Sequence, residues 1–192
     1  MLRSENILLR PILEEDLEEL LAIKNSEFVR HGVCGNLPPM NLNQFRDWYK
    51  SLKYDTKDIR FIIENKENQT SLYVKPIRMA GLLGLYNIDY HNKNCEFGIY
   101  MDERISGKGI GSTATDLVLN YAFNQLNMHK VYLYVLERNN GARRCYLKVG
   151  FGEDAVIREH VYKDGMYQNV VLMSILKQEY KAYDKNRGSD NK

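Results

Sequence analysis

Ser106-Gly107-Lys108-Gly109-Ile110-Gly111-Ser112 is the stretch on which the reading of this chain turns. It follows an alternating segment, Cys95 to Tyr100, that sets Cys95, Phe97 and Ile99 on one face of a strand and Glu96, Gly98 and Tyr100 on the other. It precedes a helical pattern, Ile110, Ala114, Leu117, Val118 and Tyr121, that runs to about Asn127. Orphan backbone N–H groups and the positive end of a helix dipole converge at such a turn, so it can hold a phosphate. Glycines at alternate positions let the backbone approach an anion closely, yet the spacing is neither the dinucleotide G-x-G-x-x-G nor the Walker G-x-x-x-x-G-K-[ST]. On the glycines alone, a tight turn without a ligand stays open beside the anion site.

Outward from that turn the pattern is mixed. Ile7 to Leu9 reads as a strand closed by Pro11, and Leu13, Leu17, Leu20 and Leu21 follow at helical spacing. A Gly-, Pro- and Asn-rich loop spans Gly32 to Asn41, and Asn41 with Gln44 forms a capping box for a second helix carrying Leu42, Phe45, Trp48 and Leu52. Phe61 to Ile63 and Met79 to Tyr86 read as strands around a polar hairpin loop, Asn65 to Thr70, with Pro76 interrupting before the second. Val131 to Val135 is a β-branched and aromatic strand. Ala142, Cys145, Tyr146 and Val149 mark a last helix closed by Gly150, and Asp164-Gly165 joins Val156–Tyr162 to Val170–Leu176 as a hairpin. Asp184 to Lys192 has no apolar residue and reads as a disordered tail behind one domain covering 1–183.

The 192 residues are enough for one self-sufficient core, and 44% hydrophobic with 27% charged residues is an ordinary globular composition. A formal net charge of +2 is too small for a dedicated nucleic-acid binder. Cys34, Cys95 and Cys145 lack any C-x-x-C spacing, which points to a reducing compartment rather than to disulfides or zinc. His31, His91, His129 and His160 are scattered without ligand spacing, so no metal is expected. The first residues hold no apolar signal core and no run would span a bilayer, so the expectation is a cytoplasmic protein with no membrane partner.

Gly107 to Gly111 (G-K-G-I-G) and the later N-x-x-A-x-x-x-Y-x-x-x-G-F, from Asn139 through Ala142 and Tyr146 to Phe151, together resemble the GNAT superfamily of N-acetyltransferases. Leu9-Arg10-Pro11 with Glu15-Asp16-Leu17 resembles the opening of its ribosomal-protein N-terminal acetyltransferase branch, so the likeness covers nearly the whole chain. The fold it implies is α/β (α+β): a single GNAT-like domain whose central, mostly antiparallel sheet has splayed middle strands, flanked by about four helices. It implies acetyl-CoA as co-substrate, its pyrophosphate on the amides of Gly107, Lys108, Gly109, Ile110, Gly111 and Ser112. Ile99, Tyr100 and Met101 would offer backbone groups to the pantetheine arm as a pseudo-strand. Ser106 stands where the family usually carries Arg or Gln, with Arg104 nearby to compensate. Asn139 is open between a contact to pantetheine and an ordinary helix cap.

Acetyl transfer to an amine must remove an ammonium proton, stabilise an oxyanion and protonate the departing thiolate. Glu96 lies mid-strand, where Glu is depleted, and suits the base. Tyr146 holds the family's tyrosine position and suits the acid. Cys145 follows the apolar pattern and is expected to pack, whereas Arg143, Arg144 and Lys148 are candidates for the adenosine phosphates, beside the reading of ordinary solvated helix residues. The resemblance places the acceptor among the first helices, the Gly32–Asn41 loop and the Asp164 hairpin. The acidic run Glu14, Glu15, Asp16, Glu18 and Glu19 is read as offsetting a helix dipole. A protein N-terminal amine or small amine is the expected acceptor. Asp164 to Asn169 resembles the closing hairpin of polyamine acetyltransferases, and Cys95 to Gly98 is similar to a strand of an amino-sugar acetyltransferase, so both remain as alternatives. A non-catalytic acyl-CoA sensor and a plain phosphate-binding module are further alternatives, and a homodimer is left open.

Overall fold

The computed structural model describes residues 1–66 and 78–180. The strand order is β1 (Leu2–Arg3), β2 (Ile7–Arg10), β3 (Ile59–Asn65), β4 (Met79–Asp89), β5 (Asn94–Met101), β6 (Lys130–Leu136), β8 (Met166–Leu176) and β7 (Gly152–Lys163), forming one eight-stranded sheet. Every pairing is antiparallel except β5 with β6. Between β2 and β3 lie α1 (Leu17–Asn25), α2 (Glu27–Gly32) and α3 (Leu42–Ser51). The later helices, α4 (Ile110–Asn124) and α5 (Asn140–Val149), flank β6 in sequence. Most of the expected hairpin loop, Pro76 and the tail from Asp184 lie outside the described residues.

Adjacent residues of the middle strands enter different cores. Ile63 and Leu83 join α4 residues Ala114, Val118 and Ala122 on one face, whereas Ile62 and Leu82 join Leu20 of α1 and Phe45 of α3 on the other. A sheet covered on both faces needs apolar residues without alternation, and β4 is buried from Met79 to Leu85. Burying a side chain such as Leu83 contributes about 1.5–3 kcal/mol.

The expected caps and turns are present. Asn41 and Gln44 exchange side-chain and backbone hydrogen bonds at 3.0 Å each. Gly150 ends α5 in the left-handed conformation at φ 104°, and Asp164-Gly165, at φ 56° and 79°, makes the tight turn between β7 and β8. The first helical region departs from expectation by containing an additional helix. Ser26 takes an extended conformation, donates to Ile23 O at 2.7 Å and caps Val29 N at 3.3 Å, ending α1 and starting α2 in one residue. The acidic run is structural where it is buried: Asp16 takes a bidentate Arg10 guanidinium at 2.7 and 2.8 Å and the Leu13 N–H at 2.8 Å. Glu14, Glu15, Glu18 and Glu19 are exposed.

Candidate active site

The site begins where two parallel strands part. β5 and β6 pair only at Asn94–Lys130, Cys95–Val131 and Glu96–Tyr132. Past Glu96 the strands diverge, leaving Ile99, Tyr100 and Met101 bonded to β4 on one edge and facing the fork on the other. A cleft of about 1410 Å³ fills the fork, lined by these three residues, Glu96 and Gly98 from β5, Tyr134 and Leu136 from β6, and parts of α2, α4 and α5.

The glycine turn stands at one end of this cleft. Gly107 and Gly109 are both left-handed, at φ 78° and 80°, and Gly109 caps α4, so the first N–H groups of that helix start from the cleft wall. A Cβ at either glycine would meet no protein atom within 4 Å, so the space beside them is open. Gly111 is different: its Cβ would lie 2.9 Å from Met101 Sδ, so this glycine lets α4 approach β5. Ser106, Gly107, Gly109, Gly111 and Ser112 line the cleft, while the Ile110 side chain is buried beneath the turn and that of Lys108 is exposed. The open cradle and helix start fit an anion such as a pyrophosphate.

Several expectations near the turn change. Arg104 does not substitute for a side chain at Ser106, because it forks onto Asp102 with its Nε at 2.9 Å. Arg143 points away from the cleft to Glu153 at 2.8 Å, leaving Arg144 and Lys148 on the cleft wall. Cys145 lies beside Ser112 Oγ at 3.1 Å at the cleft, not in the core, because α5 turns that position toward the N-terminal turn of α4. Asn139 uses both side-chain atoms within the protein: Oδ1 accepts from Ala142 N at 3.1 Å and Nδ2 donates to Gly32 O at 3.0 Å. The helix-cap reading of Asn139 is thus observed, and the residue also borders the cleft.

Glu96 and Tyr146 come to the same cleft from different elements. Glu96 sits where the strands part, with Oε2 accepting from Asn87 Nδ2 at 3.1 Å. Tyr146 is 8% exposed, and its ring meets Phe97 and Phe151 edge-on at 6.1 and 5.9 Å between centroids. Burial, followed by the nearby thiols of Cys145 and Cys34, pushes the phenol well above its usual range, so it carries its proton. Cys34 lies within electrostatic reach of both Glu96 and Tyr146, and burial raises its thiol to about 11. The position of Cys34 beside these two residues was not legible in the sequence, because its loop has no periodicity.

A clasp of side chains joins the C-terminal hairpin to the α2 end and loop that line the cleft. Lys163, at the tip of β7, donates to Arg30 O and Val33 O at 2.6 Å each and to Gly35 O at 3.2 Å. Asp164 faces His31 at 3.4 Å and pairs with Arg138. The C-terminal hairpin therefore holds the end of α2 and the loop after it, while Phe28 and His160 add to the cleft wall. The sequence supplied the hairpin but not its grip, since lone basic residues carry no spacing signal.

An open fork beside an amide-rich turn, with a carboxylate and a protonated phenol on its walls, has the components of acyl transfer from a phosphate-bearing thioester. Comparison with known proteins agrees: the acetyltransferase (GNAT) domain family matches residues 6–152. The chain belongs to the GNAT acetyltransferase family and is an acetyl-CoA-dependent N-acetyltransferase. It is 28% identical over 185 residues to the spermidine N(1)-acetyltransferase of Escherichia coli K12, spanning 96% of this chain and 94% of that one. A 30% identity over 143 residues relates it to the spermidine N(1)-acetyltransferase of Vibrio cholerae, covering 74% and 78% of the two chains. The crystal structure of a V. cholerae spermidine N-acetyltransferase with CoA and spermine superposes with a TM-score of 0.82 at 26% identity, over 92% of this chain and 99% of that one.

Proposed function

We propose that this enzyme acetylates a primary amine of a small polycation of the polyamine class. The observation that carries the reading is the extent of the likeness to the spermidine acetyltransferases. The family match stops at residue 152, but the E. coli relative aligns with 96% of the chain and thus takes in the closing hairpin that borders the cleft. The cleft lining holds Glu27, Glu96 and Glu103 beside Lys24, Arg138, Arg144 and Lys148, and the Glu96 carboxylate where the strands part suits a cationic acceptor. A protein N-terminal amine, first choice on the sequence alone, has less support from these relatives.

In this reading the amides from Gly107 to Ser112 hold the pyrophosphate, and Ile99 to Met101 pair with the pantetheine along the open edge of β5. Asn139 supports that wall from the start of α5. Glu96 accepts a proton from the substrate ammonium, directly or through water, and frees the nitrogen lone pair to attack the thioester carbonyl carbon. A C–N bond forms, the C–S bond breaks, Tyr146 passes its phenolic proton to the departing sulfur, and the second proton shed by the acetylated nitrogen restores the phenol, directly or through water. Burial disfavours the thiolate as it does the phenolate, so the raised phenol remains matched to its task. No acetyl-enzyme intermediate is required, because attack is direct.

The same reading keeps a single acyltransferase domain and a cytoplasmic location. Three free cysteines support that location, and no helix among the described residues is long and apolar enough to cross a membrane. A homodimer fits the long exposed edge strand β7, which carries Val156 and Tyr162 at the surface. The deciding experiment is thiol release from acetyl-CoA with spermidine and spermine against N-terminal peptides and amino sugars. Saturable turnover with the polyamines supports the proposal, and turnover confined to peptides or amino sugars refutes it.

A further inference from the structure

The geometry points to Asn87 as a positioning residue for the proton-accepting carboxylate, a role that rests on the assignment of Glu96 as base. Tyr86 pairs with Glu96 across β4 and β5, and the next pair is Asp89 with Asn94. Two residues of β4 thus stand against one of β5, which is a bulge. In an unbroken ladder residue 87 would oppose Cys95 and point to the face where Cys95 is fully buried. The extra residue, with Asn87 at φ 51°, instead brings its carboxamide to Glu96, with Nδ2 3.1 Å from Oε2. Asparagine occupies this left-handed conformation more readily than most residues.

The bulge is tied down from the segment that leads into β3. Asn87 N–H donates to Asp58 Oδ1 at 2.9 Å, and Ile88 N–H donates to Lys57 O at 2.9 Å. The other Asp58 oxygen takes the Arg60 guanidinium, which also pairs with Asp55 at 2.7 Å and lies over the Tyr86 ring at 5.2 Å. An anchored amide therefore fixes a glutamate that would otherwise sample several rotamers at the opening of a solvent-filled fork. It engages Oε2 and directs Oε1 to the substrate proton. Asn87 touches neither the thioester nor the amine and acts only through Glu96.

The test is a double-mutant cycle with acetyl-CoA and the best acceptor from the panel above. Asn87→Gly keeps the backbone conformation and removes the donor, and its kcat should fall about 3- to 10-fold with the KM for acetyl-CoA within about twofold of wild type. In a Glu96→Gln background the same change should cost less than about 1.5-fold, because the carboxylate through which Asn87 acts is gone. Asn87→Asp has the same shape and a similar backbone preference but sets a like charge against Glu96, so it should lower kcat further than Asn87→Gly. Melting curves check that each variant is folded. An Asn87→Gly enzyme with wild-type kcat overturns the proposal, as does a loss that recurs in full behind Glu96→Gln, which would mark the bulge as structural only. Full turnover by Glu96→Gln alone would remove the base assignment itself and this proposal with it.

Discussion

Replacing Gly109 by alanine separates the fold of the turn from its ligand. Gly109 caps α4 at φ 80°, where an L-residue pays roughly 1–2 kcal/mol. In a chain of 192 residues that should lower Tm by about 2–8 °C and leave the protein folded. The added methyl meets no protein atom within 4 Å, so the unliganded protein has room for it. In the proposed placement, that room is where a phosphate sits to reach the first amides of α4. Losing one charge-assisted N–H contact costs about 1.5–3 kcal/mol, which is about 10- to 150-fold in the Kd for CoA. Calorimetric titration with CoA, beside a melting curve, reads both effects. Gly111→Ala is the contrast, because its methyl presses on Met101 and not on the open cradle. A folded Gly109→Ala protein that binds CoA as tightly as wild type would refute the placement of the pyrophosphate.

Tyr146→Phe keeps the edge-on contacts with Phe97 and Phe151 and should lower kcat by about 10²- to 10⁴-fold with CoA affinity held, as steady-state kinetics and calorimetry would record. Lys163→Met removes three donations, one to the end of α2 and two to the loop after it, so the KM for the amine should rise roughly tenfold with that for acetyl-CoA unchanged; an unaltered amine KM would contradict the clasp. For Asp16, burial raises the carboxyl, but Arg10 and the Leu13 N–H outweigh it and hold it below its ordinary 3.8. Its contribution is present above that value and is lost as pH falls through the lower native one. Asp16→Asn should therefore cost about 2–4 kcal/mol near neutrality in urea unfolding, and the difference from wild type should shrink as the solution is acidified below about pH 4.

The strand pattern was legible because β5 alternates and β6 is β-branched, and the turn Asp164-Gly165 announced its hairpin by residue type. The capping box at Asn41 and the glycine after α5 were equally local signals. What the sequence hid was contact between distant segments. Lys163 gripping the carbonyls of Arg30, Val33 and Gly35 has no spacing to detect, and Ser26, which splits α1 from α2, lies beyond the last leucine of the helical pattern. Asn87 was invisible for a different reason: its role depends on a register slip of one residue, which patterning read along a single strand does not show. Arg104 and Arg143 erred in the other direction. Charge near the turn and on the last helix suggested phosphate contacts, but Asp102 and Glu153, close in space, had already claimed those side chains.

The parting of β5 from β6 has a consequence for how long the protein survives as well as for what it catalyses. A sheet opened through its middle has two inner edges whose backbone groups pair with no neighbouring strand past Glu96 and Tyr132. Pantetheine paired along β5 would complete the sheet, so the co-substrate doubles as a removable structural part. By mass action, CoA at 100 times its Kd would add about 2.7 kcal/mol to unfolding stability. Cells rich in acetyl-CoA or CoA would then hold this enzyme in a sturdier form than starved ones, coupling its turnover by proteases to the supply of the thioester it consumes.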